Sequence, residues 1–177
     1  MRSRSAAKSR KLSDPDAARI RTFAEGIGLR CATVDDAETI ANHRRLMFSD
    51  MGYQDEERLS SMMVKFLSWV EPKLVSGDYL AWLAVTATGA VVAGAGLWLM
   101  DWPPHMIGTS LRRGNMVNVY TQPEYRGRGL ARWLIEATIY WCKENKIDVV
   151  VLHASAEART LYETAGFKAS NEMRLTL

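Results

Sequence analysis

The sequence predicts an α+β fold in which a mixed, mostly antiparallel sheet is flanked by helices. Two segments with helical apolar spacing come first, two adjacent β-rich segments follow, and a strand, helix, strand alternation closes the chain. The length of 177 residues suits one domain, at roughly 100–200 residues per domain. No apolar stretch reaches the roughly 18 residues that a membrane span needs, so we expect a soluble protein with no membrane partner.

Two helices are expected after a short strand at residues 29–33. Asp35 or Asp36 suits the N-cap of the first helix, which Gly52 ends. The residues that recur at helical intervals along it are Ala37, Ile40, Arg44, Met47 and Met51. The second helix starts near Asp55, and Pro72 should kink or restart it. Its apolar side is formed by Leu59, Met63, Phe66, Val70 and Leu74.

The strands are expected in the second half of the chain. Residues 79–86 and 91–100 predict an antiparallel hairpin, and residues 116–121 predict a third strand. The remainder predicts a helix at 129–145, a strand at 149–153, a short helix at 157–165 and a last strand within 167–177. This order implies one parallel crossover within a mostly antiparallel sheet.

The charge is unevenly distributed along the chain. Residues 1–11 hold five basic residues and no acidic one, so the net charge of +3 becomes about −2 for the remainder. We therefore interpret residues 1–26 as a basic, flexible tail and residues 27–177 as a single folded domain. A basic tail on a near-neutral body argues against a nucleic-acid-binding domain. The sparse cysteines, Cys31 and Cys142, favour a reducing compartment such as the cytoplasm and no disulfide.

The most informative segment is residues 117–132, where a β-branched strand leads through a proline turn and a glycine-containing loop into a helix. The first amides of a helix lack internal acceptors, and the helix dipole adds positive potential there. Glycines at 127 and 129 would let a phosphate approach the backbone. Arg126, Arg128 and Arg132 add positive charge, so the segment predicts an anion site.

Two other phosphate motifs fit this segment poorly. A dinucleotide fingerprint needs a third glycine where Arg132 stands, and an acidic residue after the next strand, whereas Asp148 precedes it. No Gly-Lys-Ser/Thr is present, which argues against a nucleotide-hydrolase loop. A tight turn alone would explain the two glycines but not the three surrounding arginines.

Two motifs resemble the GNAT superfamily of N-acetyltransferases. Arg126-Gly127-Arg128-Gly129-Leu130-Ala131 resembles the R/Q-x-x-G-x-G/A element, and the run from Val119 to Tyr125 precedes it as in that family. Leu161 to Phe167 resembles the Leu-Tyr-x-x-x-Gly-Phe of the last helix. The resemblance extends from Leu29 to the C-terminus. It implies the three-layer GNAT fold with splayed central parallel strands.

The resemblance implies an acetyl-CoA-dependent acyltransferase that needs no metal. The acetyl group would pass directly to a primary amine in a ternary complex, with the Val119 amide at the thioester carbonyl and Tyr162 protonating the leaving thiolate. The pyrophosphate would lie on the backbone amides of residues 126–131. The expected coenzyme-binding residues are Val119, Tyr120, Thr121, Arg126, Gly127, Arg128, Gly129, Leu130, Ala131, Arg132, Ser155 and Tyr162.

The sequence departs from the family pattern at three places. Asn115 stands where several relatives have a glutamate that acts as the general base. The identity of the base is therefore left open, and the candidates are Asp101, His105, Glu124, His153 and a water chain. Ser155 stands where members often have Asn. Ten residues follow Phe167, too few for the usual closing strands, so we expect an acceptor site that is open or completed by a second copy in a homodimer.

The acceptor is an amine on a small molecule or peptide: a polyamine, an aminoglycoside-like compound, an amino acid and a protein N-terminus all remain open. Residues 43–45, His-Arg-Arg, could meet an anionic acceptor group, although a solvated helix face is preferred. A tryptophan cluster is interpreted as core rather than as an acceptor pocket; its members are Trp69, Trp82, Trp98 and Trp102.

Two functions of other classes also remain open. The missing glutamate at Asn115 suits a non-catalytic acyl-CoA-binding regulatory module that keeps the coenzyme pocket without turnover. A nucleic-acid-binding protein that uses the basic tail would show salt-sensitive binding that is lost when residues 1–11 are deleted.

Overall fold

A computed structural model of the chain describes residues 26–177, which form five strands and four helices. The strands are β1 (Gly28–Cys31), β2 (Tyr79–Val85), β3 (Val91–Asp101), β4 (Arg112–Thr121) and β5 (Val150–Val151). The helices are α1 (Ala37–Asp50), α2 (Glu56–Ser76), α3 (Leu130–Glu144) and α4 (Arg159–Thr164). Short 3₁₀ turns precede α1 at Val34–Asp36 and α3 at Pro123–Tyr125.

The five strands form one sheet in the order β1-β2-β3-β4-β5. The first three pairings are antiparallel, and β4 pairs with β5 in parallel. The hairpin of β2 and β3 and the crossover through α3 both form, which confirms the mixed, mostly antiparallel α+β prediction.

The alternation of side chains along β2 divides the core into two layers. Tyr79, Ala81 and Leu83 pack with α1 and α2, whereas Trp82 and Ala84 pack on the opposite face in the cluster that contains Leu130 and Leu134 of α3. Successive strand residues point to opposite faces of a sheet, so one strand serves both layers. The result is a helix, sheet, helix arrangement.

Three predicted elements differ from the structure. The strand expected within 167–177 does not form, and apolar side chains there are exposed, including Met173 and Leu175. The strand expected at 149–153 is reduced to Val150–Val151, because β4 and β5 pair only briefly. Pro72 lies within an uninterrupted α2, so the helix does not restart; the carbonyl that it leaves without a donor belongs to Ser68, which is exposed to solvent.

The predicted tail lies, apart from Gly26, outside the described residues, and the division into tail and domain stays a prediction. Among the helices that the structure describes, none combines the length and the apolar character that crossing a bilayer would need. Both cysteines are free, and burial raises the pKa of Cys142 to about 12.

Candidate active site

The described sheet opens at one edge, where β4 and β5 separate. Their parallel pairing covers only Gly114 with Val150 and Asn115 with Val151, after which β4 continues to Thr121 while β5 ends. Over the described residues, β4 beyond Asn115 has no strand partner on this side. An open strand edge offers backbone donors and acceptors to an extended ligand.

A β-bulge interrupts β4 beside this opening. Gly96 pairs with Val117 and Gly94 pairs with Tyr120, so two residues of β4, Asn118 and Val119, lie opposite one residue of β3. Asn118 has a φ of 55°, in the left-handed region that asparagine tolerates better than most residues. The bulge takes the extra residue out of the ladder at the position where a catalytic backbone amide was predicted.

Side chains from two other elements, α1 and β2, hold the bulge in place. The Arg44 Nη1 donates to Asn118 Oδ1 over 2.7 Å, and Asn118 Nδ2 donates to the Tyr79 hydroxyl over 2.9 Å. Tyr79 reaches Asn118 across β3 because residue 96 is glycine; a Cβ built there would lie 1.9 Å from the Tyr79 hydroxyl oxygen. The buried Asn118 side chain is therefore fully engaged as both donor and acceptor.

The turn after β4 has the backbone that its glycines require. Gly127 has a φ of 73°, and Gly129, the N-cap of α3, has a φ of 84°. A Cβ at Gly127 would meet nothing within 4 Å, so positive φ rather than crowding within the protein explains that glycine. The first amides of α3, at Leu130, Ala131 and Arg132, have no acceptor within the helix. The turn thus presents unpaired donors next to open space.

The three arginines of this turn lie on its surface and each contacts a neighbour. Arg126 donates through Nε to the Thr121 carbonyl over 2.9 Å and pairs with Asp50 at the end of α1. Arg128 donates to the Glu124 carbonyl over 3.0 Å, and Arg132 donates to the Glu136 carboxylate over 3.0 Å. An incoming phosphate would therefore exchange with existing surface contacts rather than meet three free cations.

Tyr120 and Thr121, the last two residues of β4, contribute to the candidate site in different ways. The Tyr120 ring lies 5.0 Å from the His43 ring, and the Arg126 guanidinium lies 5.7 Å from the Tyr120 ring centre. The Tyr120 side chain therefore packs towards α1, which leaves its backbone for a ligand. The hydroxyl of Thr121 is buried and has no hydrogen-bond partner. It is a polar atom for which a ligand could supply the missing bond.

Tyr162 and Val119 lie in the same apolar cluster, on the α3 side of the opening. Tyr162 is buried with Met116 and Ile135, and Val119 and Val150 pack against this group. Burial raises the pKa of the Tyr162 phenol, so the group keeps its proton at neutral pH. The structure thus brings together the two residues predicted to be catalytic, at the point where β4 and β5 part.

Ser155 has a local role in the structure. Its Oγ accepts a hydrogen bond from the Ala158 amide over 3.3 Å, and its hydroxyl helps to lower the pKa of the nearby Glu157 carboxyl, after the larger effect of that residue's own backbone amide. These contacts organise the turn that leads into α4. Contact with the coenzyme stays a prediction for Ser155.

The candidate bases lie at different distances from the bulge. Asp101 pairs with Arg112 at the start of β4, which places it roughly 20 Å along the strand from Val119, and His105 follows in the adjoining loop. The Asp148 carboxylate fixes that loop by accepting hydrogen bonds from the backbone amides of Thr109 and Ser110, over 2.8 and 2.9 Å. Asp101 and His105 are thereby held away from the bulge. Glu124 and His153 are exposed.

Asn115 and Trp98 pair across β4 and β3, which puts both side chains on the α2 face of the sheet. The Asn115 Oδ1 is buried and has no hydrogen-bond partner. Carboxamides do not take up protons at neutral pH, so this atom can accept a hydrogen bond from an amine but cannot deprotonate it.

The tryptophans are distributed over three environments. Trp82 is buried against Trp141 on the α3 face, as a core residue. Trp69 and Trp98 meet edge to face at 5.2 Å on the α2 face, where Trp69 also lines a cavity. Trp102 is 38% exposed beneath the Arg113 guanidinium. The interpretation of the cluster as core therefore holds for Trp82 but not for Trp102.

Residues 43–45 are not the solvated helix face that the sequence favoured. His43 is buried, and burial lowers its pKa to about 4, so the imidazole is neutral at pH 7. Arg44 is half-buried, and its guanidinium lies 4.9 Å from the ring centres of both Phe48 and Phe66. The spacing of Arg44 from the apolar positions of α1 was the available signal, because it places Arg44 on the inward face.

Arg44 also lines a cavity of about 420 Å³ along α1 and α2, together with Trp69 and with Arg58 and Lys65, which the sequence had not singled out for binding. Among the described residues, no group of three His, Cys, Asp or Glu side chains is arranged to hold a metal ion.

Comparison with known proteins shows the family to which this chain belongs. The family model described as "Acetyltransferase (GNAT) family" matches residues 38–167. The chain is similar to the crystal structure of a GCN5-related N-acetyltransferase from Ralstonia eutropha JMP134, with a TM-score of 0.80 and 33% identity over 86% of this chain and 99% of that chain.

Two further solved structures share the fold at lower identity. A predicted acetyltransferase from Clostridium acetobutylicum, crystallised with acetyl-CoA, has a TM-score of 0.76 and 24% identity over 85% of this chain and 96% of that one. An aminoglycoside acetyltransferase from an uncultured soil metagenomic sample has a TM-score of 0.62 and 15% identity, covering 85% and 98% of the two chains. No curated protein matches the sequence.

Proposed function

Because this chain belongs to the GNAT acetyltransferase family and is therefore an acyltransferase, we propose that it transfers the acetyl group of acetyl-CoA to a primary amine by direct attack in a ternary complex. The observation that carries the proposal is the open edge of β4 beyond Asn115, which leads from the bulge at Asn118 to the glycine turn at the start of α3. This edge combines backbone donors for an extended arm with an anion site at its end.

The coenzyme would lie along this edge. The open backbone of Val119, Tyr120 and Thr121 would hold the pantetheine arm, and the amides of residues 126–131 would hold the pyrophosphate. Arg126, Arg128 and Arg132 would add positive potential around the turn. When bound, acetyl-CoA supplies an acetyl group activated as a thioester.

The Val119 amide would stabilise negative charge as it develops on the thioester carbonyl oxygen during attack by the amine. Preorganised backbone donors are effective here because they need no reorientation in the transition state. The bulge supports this role, since it takes a residue out of the ladder at this point and is held by Arg44 and Tyr79.

Tyr162 would donate its phenolic proton to the departing thiolate sulfur. Burial keeps the phenol protonated, so the proton is available when the thiolate forms. The transfer would give the neutral CoA thiol and a phenolate at Tyr162, which would regain a proton from solvent before the next turnover. The packing of Tyr162 against the cluster that includes Val119 supports its proximity to the breaking bond.

The amine would lose its proton to water rather than to a buried carboxylate. Among the described residues, Asp36 is the one buried carboxylate, and it is paired with Arg30 over 2.7 Å. The rate should therefore rise with pH towards the pKa of the acceptor ammonium, near 10 for an alkylamine.

Two measurements test the proposal. Acetyl-CoA binding is measured by calorimetry for the wild type and for the double charge reversal Arg126→Glu with Arg128→Glu, and thiol release is followed with a panel of primary amines. We expect binding that the reversal weakens, and amine-dependent CoA release. Tight binding with no release from any amine and no effect of Tyr162→Phe would favour the regulatory module instead.

A further inference from the structure

Among residues 26–177, those that line the cavity along α1 and α2 include three cations and no acidic residue. Its volume is about 420 Å³, and its walls include Arg44, Arg58, Lys65, Met62, Phe66 and Trp69. A neighbouring cavity of about 300 Å³ shares Arg58 and Met62. Asp55 lines that second cavity, where it caps α2 by accepting the Arg58 amide over 2.9 Å.

The three cations lack the partners that other arginines of this protein have. Among residues 26–177, no ion pair joins Arg44, Arg58 or Lys65 to a carboxylate. Seven other described arginines are paired with acidic side chains: Arg30, Arg45, Arg112, Arg113, Arg126, Arg132 and Arg159. Cations that converge on a cavity without acidic partners favour an anionic ligand.

Of the three cations, Arg44 gives the strongest indication of an anionic ligand. It is half-buried, its Nε is buried without a hydrogen-bond partner, and its guanidinium lies between Phe48 and Phe66. Burial lowers the pKa of this guanidinium, because removal from water disfavours the charged form. An anion in the adjoining cavity would offset that effect.

Arg44 also connects the cavity to the place of acetyl transfer. Its Nη1 binds Asn118 Oδ1 over 2.7 Å, and Asn118 directly precedes Val119. A molecule in the cavity would thus lie on the α1 and α2 side of the bulge, opposite the cluster that contains Tyr162. This is the side from which an acceptor can approach the coenzyme without crossing its path.

We propose that the acceptor amine also carries an anionic group, a carboxylate or a phosphate, that Arg58 and Lys65 bind while Arg44 supplies positive potential from the wall. Phe66, Trp69 and Met62 would pack against the apolar part of the same molecule. The inference rests on the proposed acetyl transfer and narrows its acceptor. Polyamines and aminoglycoside-like compounds, which are polycations, would be repelled by this cavity.

The test compares matched ligands by calorimetry in the presence of CoA, so it does not depend on turnover. One arm pairs N-acetyl amino acids with their carboxamides, and the other pairs N-acetyl-O-phosphoethanolamine with N-acetylethanolamine. We expect at least one anionic member to bind ten-fold or more tightly than its neutral counterpart, and the arm in which this occurs distinguishes carboxylate from phosphate. The preference should shrink as salt is raised.

Variants of the cavity provide the second readout. Arg58→Met and Lys65→Met should each reduce the preference for the anionic ligand about five- to ten-fold while leaving acetyl-CoA affinity unchanged. Lys143→Met serves as the matched control, because Lys143 is exposed at the end of α3, far from the cavity lining. An unaltered preference in both cavity variants would overturn the assignment.

The outcomes separate this inference from the proposed function. If no anionic ligand is preferred, or if neutral or polycationic ligands bind more tightly, the anionic acceptor is wrong, whereas acetyl-CoA binding with amine-dependent CoA release would still support acetyl transfer. If the anionic preference depends on Arg58 and Lys65 but acetyl-CoA does not bind, the cavity assignment stands and the proposed function fails.

Discussion

The turn between β4 and α3 and the cavity along α1 and α2 both concentrate positive charge, but they do so in different ways. At the turn, the arginines are exposed and contact neighbours, and the unsatisfied donors are backbone amides. In the cavity, the cations form no ion pair with any acidic residue that the structure describes, and Arg44 is half-buried between aromatic rings. A local backbone motif therefore builds the first site, whereas side chains from two helices build the second.

This difference explains how one family can keep a coenzyme while it changes acceptors. Backbone amides do not depend on side-chain identity, so a glycine turn can bind a pyrophosphate in many sequences. The charges of a helix face change with single substitutions, so the acceptor preference can be altered without disturbing the turn. The bulge at Asn118 joins the two regions, because its side chain bonds to Arg44 of the cavity wall and its neighbour Val119 packs against the cluster that contains Tyr162.

The largest effect is expected at Tyr162, on the coenzyme side. Tyr162→Phe keeps the ring in its apolar cluster but removes the proton donor, so kcat should fall about 100-fold or more while the Kd of acetyl-CoA stays unchanged. Tyr140→Phe is the control, since Tyr140 is exposed on α3. Stopped-flow or steady-state thiol release measures the effect, and an unchanged kcat would remove Tyr162 from the mechanism.

The second-largest effect is expected at Asn118, which links the cavity along α1 and α2 to the strand that leads into the turn. Asn118→Ala leaves the buried Tyr79 hydroxyl without this partner and places alanine, which tolerates a positive φ less well than asparagine, at a φ of 55°, so the free energy of unfolding should fall by about 2–3 kcal/mol. Asn118→Gly removes the same side chain, but glycine adopts a positive φ without strain. This variant should therefore lose less free energy of unfolding than Asn118→Ala. Urea denaturation measures both, and equal losses would show that backbone strain plays no part.

The third effect is a pH dependence on the acceptor side. Burial lowers the pKa of His43 to about 4, whereas an exposed histidine titrates near 6.5. Between these values the unfolded chain binds a proton that the folded chain does not, so this stabilisation is complete above pH 6.5 and is lost as the pH falls towards 4. The slope should be at most about 1.4 kcal/mol per pH unit.

Urea denaturation between pH 7 and pH 4.5 measures this slope. His43→Gln should flatten it, and His105→Gln, at an exposed position, should leave it unchanged. The Asp36 carboxyl does not interfere, because hydrogen bonds from Arg30 lower its pKa and its contribution is lost only below the range studied. A slope that survives His43→Gln would assign the effect to another group.

The smallest effect is expected at the exposed arginines of the turn. Arg128→Ala should weaken acetyl-CoA binding about five-fold, since the backbone amides remain, and the loss should diminish at high salt. Arg159→Ala on α4 is the control for a lost surface charge. A loss of 100-fold or more would contradict the view that backbone amides dominate this site.

The sequence predicted the glycine turn and the helix that follows it because their determinants are local. Positive φ at Gly127 and Gly129 and the start of α3 at Leu130 follow from neighbouring residues. The hairpin of β2 and β3 was also predicted, since alternation and a turn are read from one short stretch. The family membership, resting on two such local motifs, was confirmed by comparison.

The acceptor side was predicted less well because it depends on contacts between distant segments. His43 was expected on a solvated face but is buried against Tyr120, which is far away in sequence. The last strand was expected from the apolar content of residues 167–177, yet no neighbouring strand pairs with it among the described residues. A strand needs a partner for its backbone hydrogen bonds, and sequence periodicity does not supply one.

The sequence by itself thus determined the order of the elements as far as α4, the glycine turn and the family of the protein, since each can be recognised from short local patterns. Only the tertiary structure decided where β4 and β5 part, that Asn118 joins Arg44 to Tyr79, and which cations face a common cavity. These features arise when segments far apart in the chain pack together, because burial and pairing are properties of the assembled layers and not of any single segment.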